Sequence, residues 1–263
     1  MKNNWLDTIF QMDCIKGMNA VLPEKSIEVI VTSPPYNIGI DYSVYHDKQP
    51  FKDYLQWMGD VAQACYRVLN DKGSLFLNLG DKPSDEFRAF KIAQEFARFF
   101  KLQNTIHWVK SIAIPEKKIN IGHYKPVNSE RYLNNSHEYI FHFTKKGDVI
   151  LNKLAIGVPY ADKSNIGRWK HAKQDLRGRG NQWFIPYETV QEKKAHPAAF
   201  PVKLAEMCIK LHGLQKKEPF IVLDPFMGSG STALAAKKLG CHYVGFEIDP
   251  QYLQLAQQRL EKQ

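Results

Sequence analysis

Short runs of β-branched, aliphatic or aromatic residues recur through both ends of the chain. They are IEVIVT at 27–32, SLFLNL at 74–79, NTIHWV at 104–109, EYIFHF at 138–143, FIVLD at 220–224 and HYVGFE at 242–247. Several are almost continuously apolar, as strands covered on both faces are. Segments of helical period separate them. After Pro50, apolar residues fall three and four apart at Phe51, Tyr54, Leu55, Met58, Val61, Ala62 and Cys65. Phe87, Phe90, Ala93, Phe96, Ala97 and Phe100 form a second stripe, Pro201 opens a third helix, and Asp249-Pro250 caps a last one that runs to Leu260. Strands alternating with helices predict an α/β fold, a doubly wound and mostly parallel sheet with helices on both faces. The aromatic stripes are assigned to the core.

The pattern breaks between about 145 and 195. Periodicity weakens there, and residues 163–181 carry Lys163, Arg168, Lys170, Lys173, Arg177 and Arg179 against one acid, Asp175. Trp169 and Trp183 are interleaved, with Gly167, Gly178 and Gly180 supplying flexibility. This stretch reads as an insertion rather than a piece of the sheet. It divides the chain into 1–144, the insertion 145–195, and 196–263. A second basic loop, 117–131, flanks it.

Charge gives the insertion a meaning. The 263 residues carry a formal charge of +9. Basic side chains that neutralise phosphates release counterions, so this excess suits a polyanionic partner as well as a merely solvated surface. Cys14, Cys65, Cys208 and Cys241 lie far apart in apolar stretches without a C-x-x-C pair, which predicts buried free thiols rather than disulfides or a zinc site. The nine histidines show no metal-ligand spacing, the first ten residues lack an apolar signal core, and no stretch approaches membrane-spanning length. A metal-free cytoplasmic protein without membrane attachment is expected.

Two constellations carry chemistry. In Asp224-Pro225-Phe226-Met227-Gly228-Ser229-Gly230-Ser231-Thr232 a strand ends in an acid, a glycine turn follows, and a helix begins. Glycines there admit a ligand to the backbone, and the helix start offers unpaired N–H groups. Glu247 lies 23 residues after Asp224 at the end of the next strand, where a carboxylate can accept both ribose hydroxyls. By itself this spacing also fits a nicotinamide dinucleotide site, since Gly228, Gly230 and Ala233 satisfy G-x-G-x-x-A. The second constellation is Ser33-Pro34-Pro35-Tyr36, which ends an apolar strand. Two prolines hold the Ser33 hydroxyl, the Pro34 carbonyl and the Tyr36 ring in fixed relation at a strand's C-terminal end. Two acceptors and a stacking face suit a planar base bearing an amino group.

Together, Ser-Pro-Pro-Tyr near the N-terminus and Asp-Pro-Phe-x-Gly-x-Gly near the C-terminus resemble the two signatures of the DNA amino-methyltransferase family. Their order is similar to that of its permuted β group. The resemblance implies a Rossmann-like methyltransferase sheet with an inserted target-recognition region, and S-adenosylmethionine as cofactor. It implies that Asp13 binds the cofactor adenine amine, although Met12 stands where the family has glycine. It further implies that His196 to Pro201, with Phe200, lead into a helix beside the cofactor's methionine moiety. Asn135 to Ile140 resemble another family strand, taken as structural.

On this reading Ser33, Pro34, Pro35 and Tyr36 are catalytic. Asp13, Asp224, Pro225, Phe226, Gly228, Gly230, Ser231, Thr232, Glu247 and Phe200 hold the cofactor. Arg168, Trp169, Lys173, Arg177 and Arg179 meet double-stranded DNA, and no metal is used. Ser before the prolines favours cytosine N4 as the target, with adenine N6 the alternative, because in the resembling family Asp mostly accompanies adenine. The chain would act in a bacterial or archaeal cytoplasm, with a cognate restriction endonuclease and a homodimer among its partners. A nicotinamide oxidoreductase and a catalytically silent nucleic-acid-binding protein are the competing classes; the latter leaves Ser33 to Tyr36 and Glu247 unexplained.

Overall fold

The computed structural model describes residues 5–40, 42, 44–124, 126–168, 174–186, 199–214 and 219–262. In chain order the elements are β1 (Thr8–Gln11), α1 (Cys14–Val21), β2 (Ile27–Thr32), α2 (Phe51–Val68), β3 (Leu69–Leu79), α3 (Arg88–Ala97), β4 (Lys101–Val109), β5 (Ser111–Ile114), β6 (Ile119–Gly122), β7 (His137–Thr144), β8 (Gln182–Phe184), α4 (Val202–His212), β9 (Ile221–Asp224), α5 (Ser231–Lys238), β10 (His242–Glu247) and α6 (Pro250–Glu261).

Eight strands form one sheet in the order β1-β10-β9-β2-β3-β7-β4-β8, and β5 pairs with β6 in a separate hairpin. All strands of the large sheet run the same way except β7, which is antiparallel to both β3 and β4. The C-terminal ends of β1, β2, β3, β4, β9 and β10 therefore share one edge with the N-terminal end of β7. Ligands bind along that edge in open α/β sheets.

The continuous apolar runs are explained by burial on both faces. On β2, Ile30 joins one core while Val29 and Val31 join the other; on β3, Leu75, Leu77 and Leu79 oppose Phe76. The first core packs α1, α2 and α3 against the sheet, and the second packs α4 and α5 on the far side. A third cluster joins α5 to α6 through Ala233, Leu234, Ala256 and Leu260. All four cysteines are free and buried within these layers.

The α2 stripe is core as expected, with Tyr54, Met58, Val61, Ala62 and Cys65 buried. The second stripe is core at Ala93, Phe96 and Phe100 as expected, but not at its start. Phe87 is 70% exposed and Phe90 40%, while Ala89, Ile92, Ala93 and Phe96 face the core. At the start of the helix Ala89 and Ile92 turn inward in place of Phe87 and Phe90, and Phe90 lies across the edges of Tyr139 and Phe141.

A second difference falls in the stretch 145–195. Gln182–Phe184 is a strand of the large sheet, paired parallel with β4, where an excursion outside the sheet is expected. Trp183 is buried, with Ile156 and Ile185 in the same core, and the Ile185 carbonyl accepts the Trp108 indole N–H. Three residues suffice for this edge strand because apolar packing rather than a long ladder holds it.

Candidate active site

The sheet edge opens into a cavity of about 340 Å³. Its lining comes from segments far apart in sequence: Met12 to Cys14 after β1, Ser33 to Tyr36 after β2, then Tyr42, Val44, Tyr45 and Gln49, Pro225, Phe226 and Gly228 after β9, and Glu247 to Asp249 at the end of β10. Both sequence constellations thus face one space.

At the β9–α5 end, the turn is built around Asp224. Its carboxylate is buried and accepts from Thr32 Oγ1 and Thr232 Oγ1, each at 2.7 Å, and from Phe226 N at 3.0 Å. Burial pushes this carboxyl up to about 7. The turn then bends through Gly228 and Gly230, with φ of 50° and 83°. At Gly230 a Cβ would lie 2.9 Å from Ala256 Cβ, so glycine lets α6 approach as well as permitting the backbone angle. Glu247 closes the arrangement: one carboxylate oxygen accepts from Gly228 N at 2.7 Å and the other from Asp249 N at 2.8 Å. Burial raises its pKa.

The expected cofactor residues divide accordingly. Asp13, Pro225, Phe226, Gly228 and Glu247 line the cavity, with Asp13 also capping α1 through Lys16 N at 2.9 Å. Asp224, Gly230, Ser231, Thr232 and Phe200 are not in the lining, contrary to a direct binding role. Ser231 Oγ donates to the Phe200 carbonyl at 2.8 Å, and Thr232 is engaged with Asp224, so this group braces the turn from behind. Phe200 itself is in the second core. Short polar side chains after a glycine turn look the same in sequence whether they face a ligand or the next helix.

At the β2 end, Ser33, Pro34, Pro35 and Tyr36 all line the cavity. Tyr54 Oη donates to the Pro35 carbonyl at 2.6 Å and fixes the proline segment against α2. The following loop is folded around the buried carboxylate of Asp47, which accepts from the N–H groups of Asn37, Ile38, Gly39 and Ile40 at 2.8–3.1 Å. It brings Tyr42, Val44, Tyr45 and Gln49 to the cavity, and Tyr45 stacks on Trp57 with ring centroids 5.7 Å apart. Trp57 in turn meets Phe226 edge-on at 5.5 Å, joining the two halves of the site through aromatic rings. The sequence pattern does not single out these loop and wall residues; Trp57 lies at the margin of the α2 stripe and packs partly against the first core.

Also unanticipated is a polar cluster behind Ser33. Ser33 Oγ and Tyr36 Oη are 2.8 Å apart, and Tyr36 Oη donates to Glu138 Oε2 at 3.0 Å. Asn78 Nδ2 donates to the same oxygen at 2.6 Å and to Tyr36 Oη at 2.8 Å, and Lys110 Nζ forms an ion pair with Glu138 Oε1. The strand at Glu138, expected to be purely structural, therefore contacts the motif at Tyr36 and reaches Ser33 through it.

The basic residues of 145–195 are less uniform than their sequence suggests. Arg168 and Arg177 are exposed, whereas Arg179 is half-buried with its Nε donating to the Ile156 carbonyl at 3.1 Å. Lys163 pairs with Asp175. Trp169 and Lys173, like His196, lie outside the described residues. Among the described residues, no helix is long and apolar enough to cross a membrane, and no group of three His, Cys, Asp or Glu side chains could hold a metal ion.

Residues 27–258 match the profile of the DNA methylase family of N6/N4 methyltransferases, which takes in both constellations. The chain belongs to that family. It is similar to the Type II methyltransferase M.BglII of Bacillus subtilis, at 31% identity over 97% of this chain and 69% of the relative. Its fold resembles PvuII DNA methyltransferase (cytosine-N4-specific), with a TM-score of 0.70 at 19% identity over 96% of this chain and 85% of the other. It also resembles TTHA0409 of Thermus thermophilus complexed with S-adenosyl-L-methionine, with a TM-score of 0.63 at 24% identity over 95% and 91%. The protein is a DNA methyltransferase of the N6/N4 family, and its substrate is DNA.

Proposed function

We propose that the chain transfers a methyl group from S-adenosylmethionine to the exocyclic amine of a flipped-out base in double-stranded DNA, cytosine N4 by preference. The supporting observation is one cavity whose wall carries Ser33 and Pro34 at one end and Glu247 at the other, with Phe226 and Trp57 meeting between them. The donor set fits the cofactor. Glu247 suits ribose hydroxyls, Asp13 suits an adenine amine, and apolar and aromatic side chains suit the ring and the sulfonium-bearing chain. When bound, the cofactor supplies an electrophilic methyl carbon.

The protein's own residues do the rest. An exocyclic amine is a poor nucleophile because its lone pair is delocalised into the ring. Ser33 Oγ and the Pro34 carbonyl accept its two hydrogens and draw the nitrogen toward pyramidal geometry. The rigid proline segment, held by Tyr54, fixes both acceptors, and such orientation is worth up to ~7–11 kcal/mol in ideal systems. A base within a duplex cannot reach this depth, so it must flip out, and a Tyr36 face stacked on it would return roughly 1–3 kcal/mol of that cost. Serine is a weak base, so the proton leaves after the amine has become cationic.

Cytosine is favoured by the neutral Ser33 where a carboxylate would be the stronger acceptor, and adenine N6 is the alternative. The PvuII neighbour, described as cytosine-N4-specific, agrees with this preference. Residues 145–195, with Arg168 and Arg177 exposed, are proposed as the target-recognition region between catalytic halves at 1–144 and 196–263. The Type II relative favours a cognate restriction endonuclease as partner, and a homodimer is proposed from the family resemblance alone.

The test compares ligands and then label transfer. S-adenosylmethionine should bind in calorimetry where NADH does not, and its labelled methyl should pass to unmodified DNA. Ser33→Ala should keep cofactor binding and lose most transfer. NADH binding with no transfer to DNA would refute the reading.

A further inference from the structure

Three successive strands on one side of β2, namely β3, β7 and β4, bring a buried ion pair to the back of the catalytic motif. Lys110 follows β4, Glu138 lies on β7, and Asn78 lies on the neighbouring β3; all three side chains are buried. Burying a pair of charges is costly, and such a pair adds little to stability compared with apolar residues of similar size. Its placement is informative, because Glu138 spends one oxygen on Lys110 and the other on Tyr36 and Asn78.

The hydrogens in this cluster can be counted. An ionised carboxylate only accepts, so Tyr36 commits its hydroxyl hydrogen to Glu138. Tyr36 Oη is then an acceptor toward its remaining neighbours, Asn78 Nδ2 at 2.8 Å and Ser33 Oγ at 2.8 Å. Ser33 must donate to Tyr36. Its hydrogen is committed to Tyr36, one lone pair faces Asn78 Nδ2 at 3.4 Å, and the other remains for a ligand. The Asn78 orientation is fixed by the same logic, because exchanging its amide atoms would set two oxygens 2.6 Å apart. Among the described residues its Oδ1 has no hydrogen-bond partner.

We infer that the Lys110–Glu138 pair, through Tyr36, sets Ser33 as a hydrogen-bond acceptor and provides the route by which the methylated amine loses its proton. Lys110, Asn78 and Glu138 are positioning residues for Ser33. After methyl transfer the amine proton passes to Ser33 Oγ, the Ser33 proton to Tyr36 Oη, and the Tyr36 proton to Glu138 Oε2. Nitrogen keeps the electron pair of the broken N–H bond. Both hydroxyls are regenerated, Glu138 becomes a neutral acid, and it returns the proton to solvent before the next cycle. The inference rests on amine methylation as proposed above.

The test uses the full chain, S-adenosylmethionine and a duplex around a methylated site located by sequencing of modified bases. In Glu138→Gln, Lys110 holds the new amide oxygen and turns its nitrogen toward Tyr36. The donor chain then reverses and directs the Ser33 hydrogen into the cavity. Single-turnover methylation should fall about a hundredfold, with cofactor affinity within about twofold of wild type. Duplexes whose target base bears a carbonyl in place of the amine, uracil for cytosine or hypoxanthine for adenine, give a second readout. Wild type should prefer the amine duplex, and in Glu138→Gln that preference should shrink about tenfold, which a purely structural role would not produce. The double variant Lys110→Met/Glu138→Gln keeps the interior neutral, so it should fold and stay slow. A folded single or double variant at the wild-type rate, or an unchanged amine preference in Glu138→Gln, would overturn the inference. Wild-type protein that transfers no methyl to DNA would instead sink the reading beneath it.

Discussion

Replacing Asp224 separates bracing of the β9–α5 turn from direct ligand contact. Asp224→Ala strips an acceptor from Phe226 N and from two buried hydroxyls, those of Thr32 and Thr232. Each unsatisfied buried group costs about 1–3 kcal/mol. Thr232 can fall back on the Val31 carbonyl, 3.2 Å away, so the two remaining groups should cost about 2–6 kcal/mol together. Asp224→Asn should behave differently. Its amide oxygen can serve Thr32 and Phe226, while its NH₂ donates to Thr232, whose hydroxyl rotates toward Val31. Burial raises the carboxyl from 3.8 to about 7, so between those values the folded state holds a proton that the unfolded state has released. The stabilisation is whole below the lower value and is lost as pH rises through the upper one. An amide does not ionise, so the Asn variant should gain on wild type as pH rises, by at most about 1.4 kcal/mol per pH unit. Urea unfolding followed by tryptophan fluorescence at pH 5 and 8 measures both variants against wild type. Equal destabilisation by Asn and Ala at both pH values would refute this account of the turn.

Glu247→Ala should weaken S-adenosylmethionine binding about tenfold to a hundredfold, from the loss of charge-assisted bonds worth ~1.5–3 kcal/mol, as read by calorimetry. Arg168→Ala with Arg177→Ala should lower DNA affinity and flatten its salt dependence by about one unit per lost phosphate contact, leaving cofactor affinity unchanged; an unchanged slope would move recognition elsewhere. His142 and His212 share Ser74 in the second core, and burial lowers them to about 3 and 4. Between those values and the ordinary 6.5 the unfolded chain binds more protons, so this pair should cost stability as pH falls below 6.5. A urea midpoint that falls less steeply on acidification in His142→Phe/His212→Leu than in wild type would support this, and parallel curves would not.

What the sequence discloses depends on how locally each feature is encoded. Strands buried on both faces announce themselves as apolar runs, and the turn at Gly228 and Gly230 is marked by residues few others could replace. Asp249 is legible as a helix cap because its partner, Gln251 N, is two residues away. The short strands β1 and β8 carry too few residues for a period, and β8 is recruited by the tertiary packing of Trp183. Phe87 and Phe90 mislead because a helical stripe does not reveal which of two adjacent faces meets the sheet. In the site, the motifs were readable while their support was not. Glu138 reaches Lys110, Asn78 and Tyr36 over separations of 28, 60 and 102 residues, which only the antiparallel β7 brings together. The loop around Asp47 is hidden for a similar reason, since four backbone N–H groups gathered on one carboxylate leave no side-chain pattern.

The central claim is that the cavity methylates an exocyclic amine of a DNA base. It is tested most directly by incubating the protein with methyl-labelled S-adenosylmethionine and unmodified duplex DNA, digesting to nucleosides, and separating them by mass spectrometry. The account predicts label in N4-methylcytosine, abolished by Ser33→Ala. Label in N6-methyladenine alone would reverse the choice of base while preserving amine chemistry. Label on a ring carbon, as in 5-methylcytosine, or none in DNA at all, would contradict the account.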